Sequence, residues 1–114
     1  MSGITTHVLD TSVGKPAAGV PVHLERAAAD DCWEMIGRAE TDRDGRVRHL
    51  LPEGATLASG VYRLIFNTAA YFQRSSTPSF YPHVIVVFEI VDAAAHYHVP
   101  LLISPFGYST YRGS

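Results

Sequence analysis

His96-Tyr97-His98-Val99-Pro100-Leu101-Leu102-Ile103-Ser104 is the stretch that decides how this chain folds. Successive residues of a strand face opposite ways, so the unbroken apolar set Tyr97, Val99, Leu101 and Ile103 reads as the buried face of a β-strand. The alternate positions His96, His98, Pro100, Leu102 and Ser104 are half polar and half apolar. A face meant only for water carries more charge than this, so the second face reads as one that a partner covers. Near the start of the chain, Ile4, Thr6 and Val8 share one side of another strand, and Thr5, His7 and Leu9 share the other. Both His7 and His98 are therefore expected to point away from the core.

Turn signals recur outward from these two strands: Gly14-Lys15-Pro16, Gly19, Asp30-Asp31, Asp42-Arg43-Asp44-Gly45, Pro52-Glu53-Gly54, Ser59-Gly60, Pro78, Pro82 and Pro105-Phe106-Gly107. The β-branched and aromatic segments between them predict strands over 4–10, 20–26, 33–38, 46–50, 61–67, 84–91, 97–104 and 107–111, with one or two helical turns over 68–74. That is the pattern of an all-β sandwich. The 114 residues fit one domain, 1–114, with no repeat or linker. Hydrophobic residues at 46% against 18% charged exclude a disordered chain. The single cysteine, Cys32, excludes an internal disulfide, and a net charge of -2 without a basic block excludes phosphate-driven nucleic-acid binding. The longest apolar runs, 84–88 and 99–103, fall far below the roughly 18–20 residues that span a bilayer. The opening Met1-Ser2-Gly3-Ile4-Thr5-Thr6-His7 has no basic start and no apolar segment, so no signal peptide is expected and the location is expected to be cytoplasmic.

His96-Tyr97-His98 places two imidazoles on one face about 7 Å apart at their Cα atoms. That spacing can serve a zinc site, with His7 as a third ligand, but without an H-E-x-x-H or a Cys pair it is weak evidence for metal, and catalytic or merely structural histidines are favoured. Asp42-Arg43-Asp44-Gly45 reads as a turn whose carboxylates accept backbone bonds while glycine takes positive φ. A calcium loop is excluded there because Gly comes too early and no closing acid follows. Arg46, at the root of the next strand, can be aimed at a carbonyl or an anion, or can be simply solvated. Cys32 has no basic neighbour to activate it, no serine sits in a nucleophile elbow, and Asp10 and Asp92 are candidate histidine orienters or solvated loop ends. The stretch Gly107-Tyr108-Ser109-Thr110-Tyr111-Arg112-Gly113-Ser114 holds a phenol, a guanidinium and a carboxylate together, so it can supply a pocket or form an ordinary edge.

Taken together, Thr6-His7-Val8-Leu9-Asp10, Thr41-Asp42-Arg43-Asp44-Gly45-Arg46, His96-Tyr97-His98-Val99-Pro100-Leu101-Leu102 and the closing Tyr111-Arg112-Gly113-Ser114 resemble the 5-hydroxyisourate hydrolases, the transthyretin-related proteins. Gly14-Lys15-Pro16-Ala17, Tyr62-Arg63, Tyr71-Phe72 and Phe80-Tyr81-Pro82 extend the likeness over essentially the whole domain. Ile103 and Phe106 stand where Leu and Tyr are commoner in that family.

The resemblance implies a transthyretin-like, two-sheet antiparallel β-sandwich with one short helix, in which the first, fourth, seventh and eighth of the predicted strands share a sheet. It implies a homotetramer, a dimer of dimers, with sites between subunits. It implies metal-free hydrolysis of 5-hydroxyisourate, in which water attacks a ring carbonyl and an amide-type C–N bond breaks, with no cofactor. Such chemistry needs a base, a donor for the leaving nitrogen and positive charge beside the oxyanion. On this reading His7 and His98 do acid/base and water-positioning work, and Arg46 polarises the substrate. Tyr111 contacts the heterocycle, Arg112 and the Ser114 carboxylate organise the pocket, and Ser104 adds a supporting hydroxyl. His96 has no assigned part, and His23, His49 and His83 are structural or solvated. Three rivals remain: a transthyretin-type carrier of a small ligand, a zinc hydrolase built on His7, His96 and His98, and a purely structural β-sandwich module.

Overall fold

The computed structural model describes residues 3–114. Its elements in chain order are β1 (Gly3–Asp10), β2 (Lys15–Pro16), β3 (Pro21–Ala27), a 3-10 turn (Ala29–Asp31), β4 (Trp33–Glu40), β5 (Arg46–Val47), β6 (Gly60–Phe66), α1 (Thr68–Gln73), β7 (Val84–Ile90), β8 (His96–Ser104) and β9 (Gly107–Thr110). In one sheet the order is β2-β1-β8-β9, with β5 also on β1; in the other it is β4-β3-β6-β7. This is the sandwich that the alternation predicts. One pairing departs from a purely antiparallel scheme: β1 and β8, at the centre of the first sheet, run parallel. A parallel pair needs a long crossover, and here the whole second sheet and α1 lie between the two strands.

The apolar stripes meet between the sheets. Ile4, Val8, Val99, Leu101 and Ile103 from the first sheet pack with Val22, Leu24, Tyr62, Leu64, Phe66, Val84 and Ile90 from the second. Polar groups caught inside are bonded, as burial requires. Thr6 Oγ1 donates to Val99 O at 2.6 Å, and Thr41 Oγ1 donates to Ala17 O at 2.7 Å. Asp10 does not orient a histidine: it is buried, and accepts from Tyr71 Oη at 2.7 Å and from Ser12 N at 3.0 Å, which ties α1 to the end of β1. Burial, and then this bond to Asp10, push the Tyr71 phenol up to about 12. Asp92 accepts from Ala94 N at 2.9 Å in its own loop.

Two local features differ from the expected pattern. The strand expected over 46–50 stops at Val47, because the chain bends inward and buries Leu50. The Leu50 carbonyl lies against Gly37 of β4, where a Cβ would come within 2.0 Å of it. Pro100 is buried although it lies on the outward side of β8, because the segment at Gly113 covers it. The turn Ala29–Asp31 bends sharply enough to hold Asp30 and Asp31 at φ 63° and 57°.

Candidate active site

The central ladder of the first sheet sets the site. On β1, Gly3 stands opposite His96 and Thr5 opposite His98, while on its other edge His7 stands opposite Arg46 of β5. The outward side chains of three strands thus converge on one patch. Arg46 is aimed by the turn before it. Asp42 Oδ1 accepts from Asp44 N at 2.9 Å and from Arg46 N at 3.0 Å, and these bonds, the Arg46 N–H foremost, hold its carboxyl below the usual carboxylate range. Gly45 closes the turn at φ +77°, and a Cβ there would lie 2.3 Å from Val8 O. That carboxylate is engaged by backbone N–H groups, as the turn reading requires.

A cleft of about 350 Å³ opens on this patch, lined by Thr5, Arg46, Arg48, His96, His98 and Ser114 among others. His98 Nδ1 lies 2.8 Å from Thr5 Oγ1, and the same hydroxyl lies 3.0 Å from His96 Nε2. On its far side the His98 ring packs on Gly113, whose N–H donates to His98 O at 2.8 Å. A Cβ at position 113 would stand 2.5 Å from His98 Cδ2, so only glycine lets the chain lie this close to the ring. Burial, then the nearby charges of Arg46, His7 and His96, depress the His98 pKa below the ordinary imidazole value. These effects favour the unprotonated ring, the form in which an imidazole can act as a base. His7 is held differently: its Nε2–H donates to the Asp44 carbonyl at 2.9 Å.

The predicted residues divide by location. Arg46, His98 and Ser114 line the cleft together, and His7 adjoins it beyond Arg46. Tyr111 and Arg112 line a second hollow of about 230 Å³, on the other side of His98 and beside β7. There the Arg112 guanidinium sits 4.6 Å over the Tyr97 ring. Ser104 is six residues along β8, about 20 Å from His98. It donates to Gly107 O at 3.3 Å beside a separate hollow near β9. Thr5, Arg48, His49 and His96 are cleft-lining residues to which the sequence reading assigned no part. For Thr5 a signal existed, since it shares outward parity with His7. As for the zinc alternative, no three His, Cys, Asp or Glu side chains converge as a ligand set among the described residues.

Comparison with known proteins places this arrangement. Residues 4–113 match the model of the HIUase/Transthyretin family. A 5-hydroxyisourate hydrolase of Halalkalibacterium halodurans is 51% identical over 119 residues, covering 100% of both chains. The structure of Klebsiella pneumoniae 5-hydroxyisourate hydrolase superposes with a TM-score of 0.85 at 38% identity, covering 100% of this chain and 94% of that one. Transthyretin from Sparus aurata superposes with a TM-score of 0.89 at 31% identity, covering 99% and 97%.

Proposed function

The chain belongs to the HIUase/Transthyretin family, and on that premise we propose that it hydrolyses 5-hydroxyisourate by metal-free general acid/base catalysis. The observation that carries the reading is His98 beside Arg46 in an open cleft, with its Nδ1 2.8 Å from the Thr5 hydroxyl. His98 takes a proton from water as the water oxygen bonds to a ring carbonyl, and Arg46 offers positive charge where the oxyanion develops. In the acid role, His7 gives a proton to the leaving nitrogen. Ser114 lines the same cleft and helps to fix substrate orientation. The sandwich alone fits a ligand carrier equally well, since function lives in the site, and the two histidines with an unpaired arginine favour the hydrolase.

Tyr111 is 60% exposed, and Phe106 and Tyr108 are exposed beside it. These aromatics support a homotetramer, a dimer of dimers, in which Tyr111 and Arg112 reach substrate and Ser104 adds its hydroxyl across a subunit boundary. No helix among the described residues is long and apolar enough to cross a membrane, and a cytoplasmic enzyme is the reading we adopt.

The test follows ultraviolet decay of 5-hydroxyisourate made freshly from urate by urate oxidase. Wild type is expected to speed decay above the spontaneous rate with and without chelator, and His98→Ala to lose about 10²–10⁴-fold in turnover. Decay equal to the buffer blank would return the carrier reading, and loss with chelator would return the zinc reading.

A further inference from the structure

We propose that Thr5 and His96 form a proton relay behind His98, which fixes the nitrogen that His98 presents to the cleft and disposes of the proton it takes. This rests on the hydrolase reading above. Thr5 Oγ1 sits between two imidazoles, 2.8 Å from His98 Nδ1 and 3.0 Å from His96 Nε2, and has no other hydrogen-bond partner among the described residues. A hydroxyl has one proton to give and two lone pairs to offer. It therefore cannot donate to both rings at once, so the tautomers of His98 and His96 are linked through it.

The direction follows from what the base must do. For His98 to take a proton at Nε2, its Nδ1 must carry the hydrogen, since the bond made by one ring nitrogen sets the state of the other. Nδ1–H then donates to Thr5 Oγ1, and the Thr5 proton points to His96 Nε2. When water gives its proton to His98 Nε2, the Nδ1 proton passes to Thr5 Oγ1, and the Thr5 proton passes to His96 Nε2. Each transfer breaks one bond to hydrogen and makes another, with no change of oxidation state. His96 is placed to complete the path. It is exposed, and it lines both the cleft and a neighbouring hollow with Gly3, Leu50 and Ala55. Gly3, its ladder partner, puts no side chain over Nδ1; a Cβ there would stand 3.7 Å away. His96 then sheds its Nδ1 proton to solvent. The other ionisable groups beside His98 are Arg46 of β5 and His7 of β1, and neither bonds Thr5.

Thr5 and His96 are positioning residues here, and the test reads both kinetics and ring nitrogens on the full chain. Thr5→Val keeps the shape and removes the hydroxyl. It should lower kcat about 10- to 100-fold with KM within about twofold, a smaller loss than removal of the base. In 15N spectra of the histidine rings, the unprotonated nitrogen of His98 should move from Nε2 to Nδ1. Thr5→Ser should restore both readouts, and His96→Ala should lose kcat and regain it with added imidazole. Wild-type kcat in Thr5→Val, an unmoved nitrogen signal, or failure of serine to restore either overturns the relay. Should wild type show no hydrolysis, the functional reading falls separately, and the nitrogen signals alone decide whether Thr5 sets the tautomer.

Discussion

The outward faces of the two sheets carry similar residues and treat them in opposite ways. On the second sheet, Arg63 Nε donates to Glu25 at 2.7 Å while its guanidinium lies 4.2 Å over the Trp33 ring, and Arg26 pairs with Glu34 at 2.7 Å. Every one of those charges has a partner. On the first sheet, Arg46 makes no salt bridge among the described residues, and His7, His96 and His98 bond only to a carbonyl and a hydroxyl. A pair such as Arg63–Glu25 is complete and has nothing to offer a ligand. A guanidinium without a carboxylate partner retains its field for whatever enters the cleft. On the hydrolase reading, the contrast separates a surface built for solvation from one built for chemistry, although both are sheet faces of the same sandwich.

Substitutions on each side sharpen that contrast, and after His98→Ala the largest effect belongs to Arg46. Arg46→Gln should lower kcat/KM by about 10²–10³-fold, the range for loss of one oxyanion donor. It should also raise the His98 titration midpoint, because it removes a positive charge that disfavours the imidazolium; 15N titration reads this without any turnover. An unmoved midpoint would mean that Arg46 does not act on His98. Next comes Gly113→Ala, whose methyl must displace the His98 ring, with a loss of up to about 10²-fold in turnover and little change in melting temperature. Retained activity would free the Tyr111–Ser114 segment from any positioning role. The smallest effect is expected on the other face. Arg63→Ala should cost about 1 kcal/mol of stability by thermal unfolding and leave turnover at the wild-type value. A catalytic defect there would erase the distinction between the faces.

Much of this was legible in the chain. Period-two alternation found the long strands because one side of each is buried, and it turned His7 and His98 outward correctly. It could not find the pairing of Lys15 with Asp10, which exists only because the turn at Gly14 brings two residues into register. Nor could it foresee that β1 and β8 run parallel, and that register alone sets Thr5 opposite His98. The tail defeats parity outright. Arg112 and Ser114 are two apart yet line different hollows, because the chain leaves the ladder after Thr110 and returns at the single bridge between His98 and Gly113. Residue types announced the chemistry of that segment, while its geometry depended on a non-local contact.

The parallel pairing of β1 with β8 has a consequence for the timing of synthesis. Thr5 and His98 are 93 positions apart. At roughly 5–20 residues per second, the ribosome delivers the second roughly 5–20 s after the first. During that interval β3 with β4, and β6 with β7, can close as local hairpins, while one edge of β1 waits without its neighbour. A chain made only as far as β7 therefore has all the strands of the second sheet and no cleft, and the cleft forms only when β8 docks.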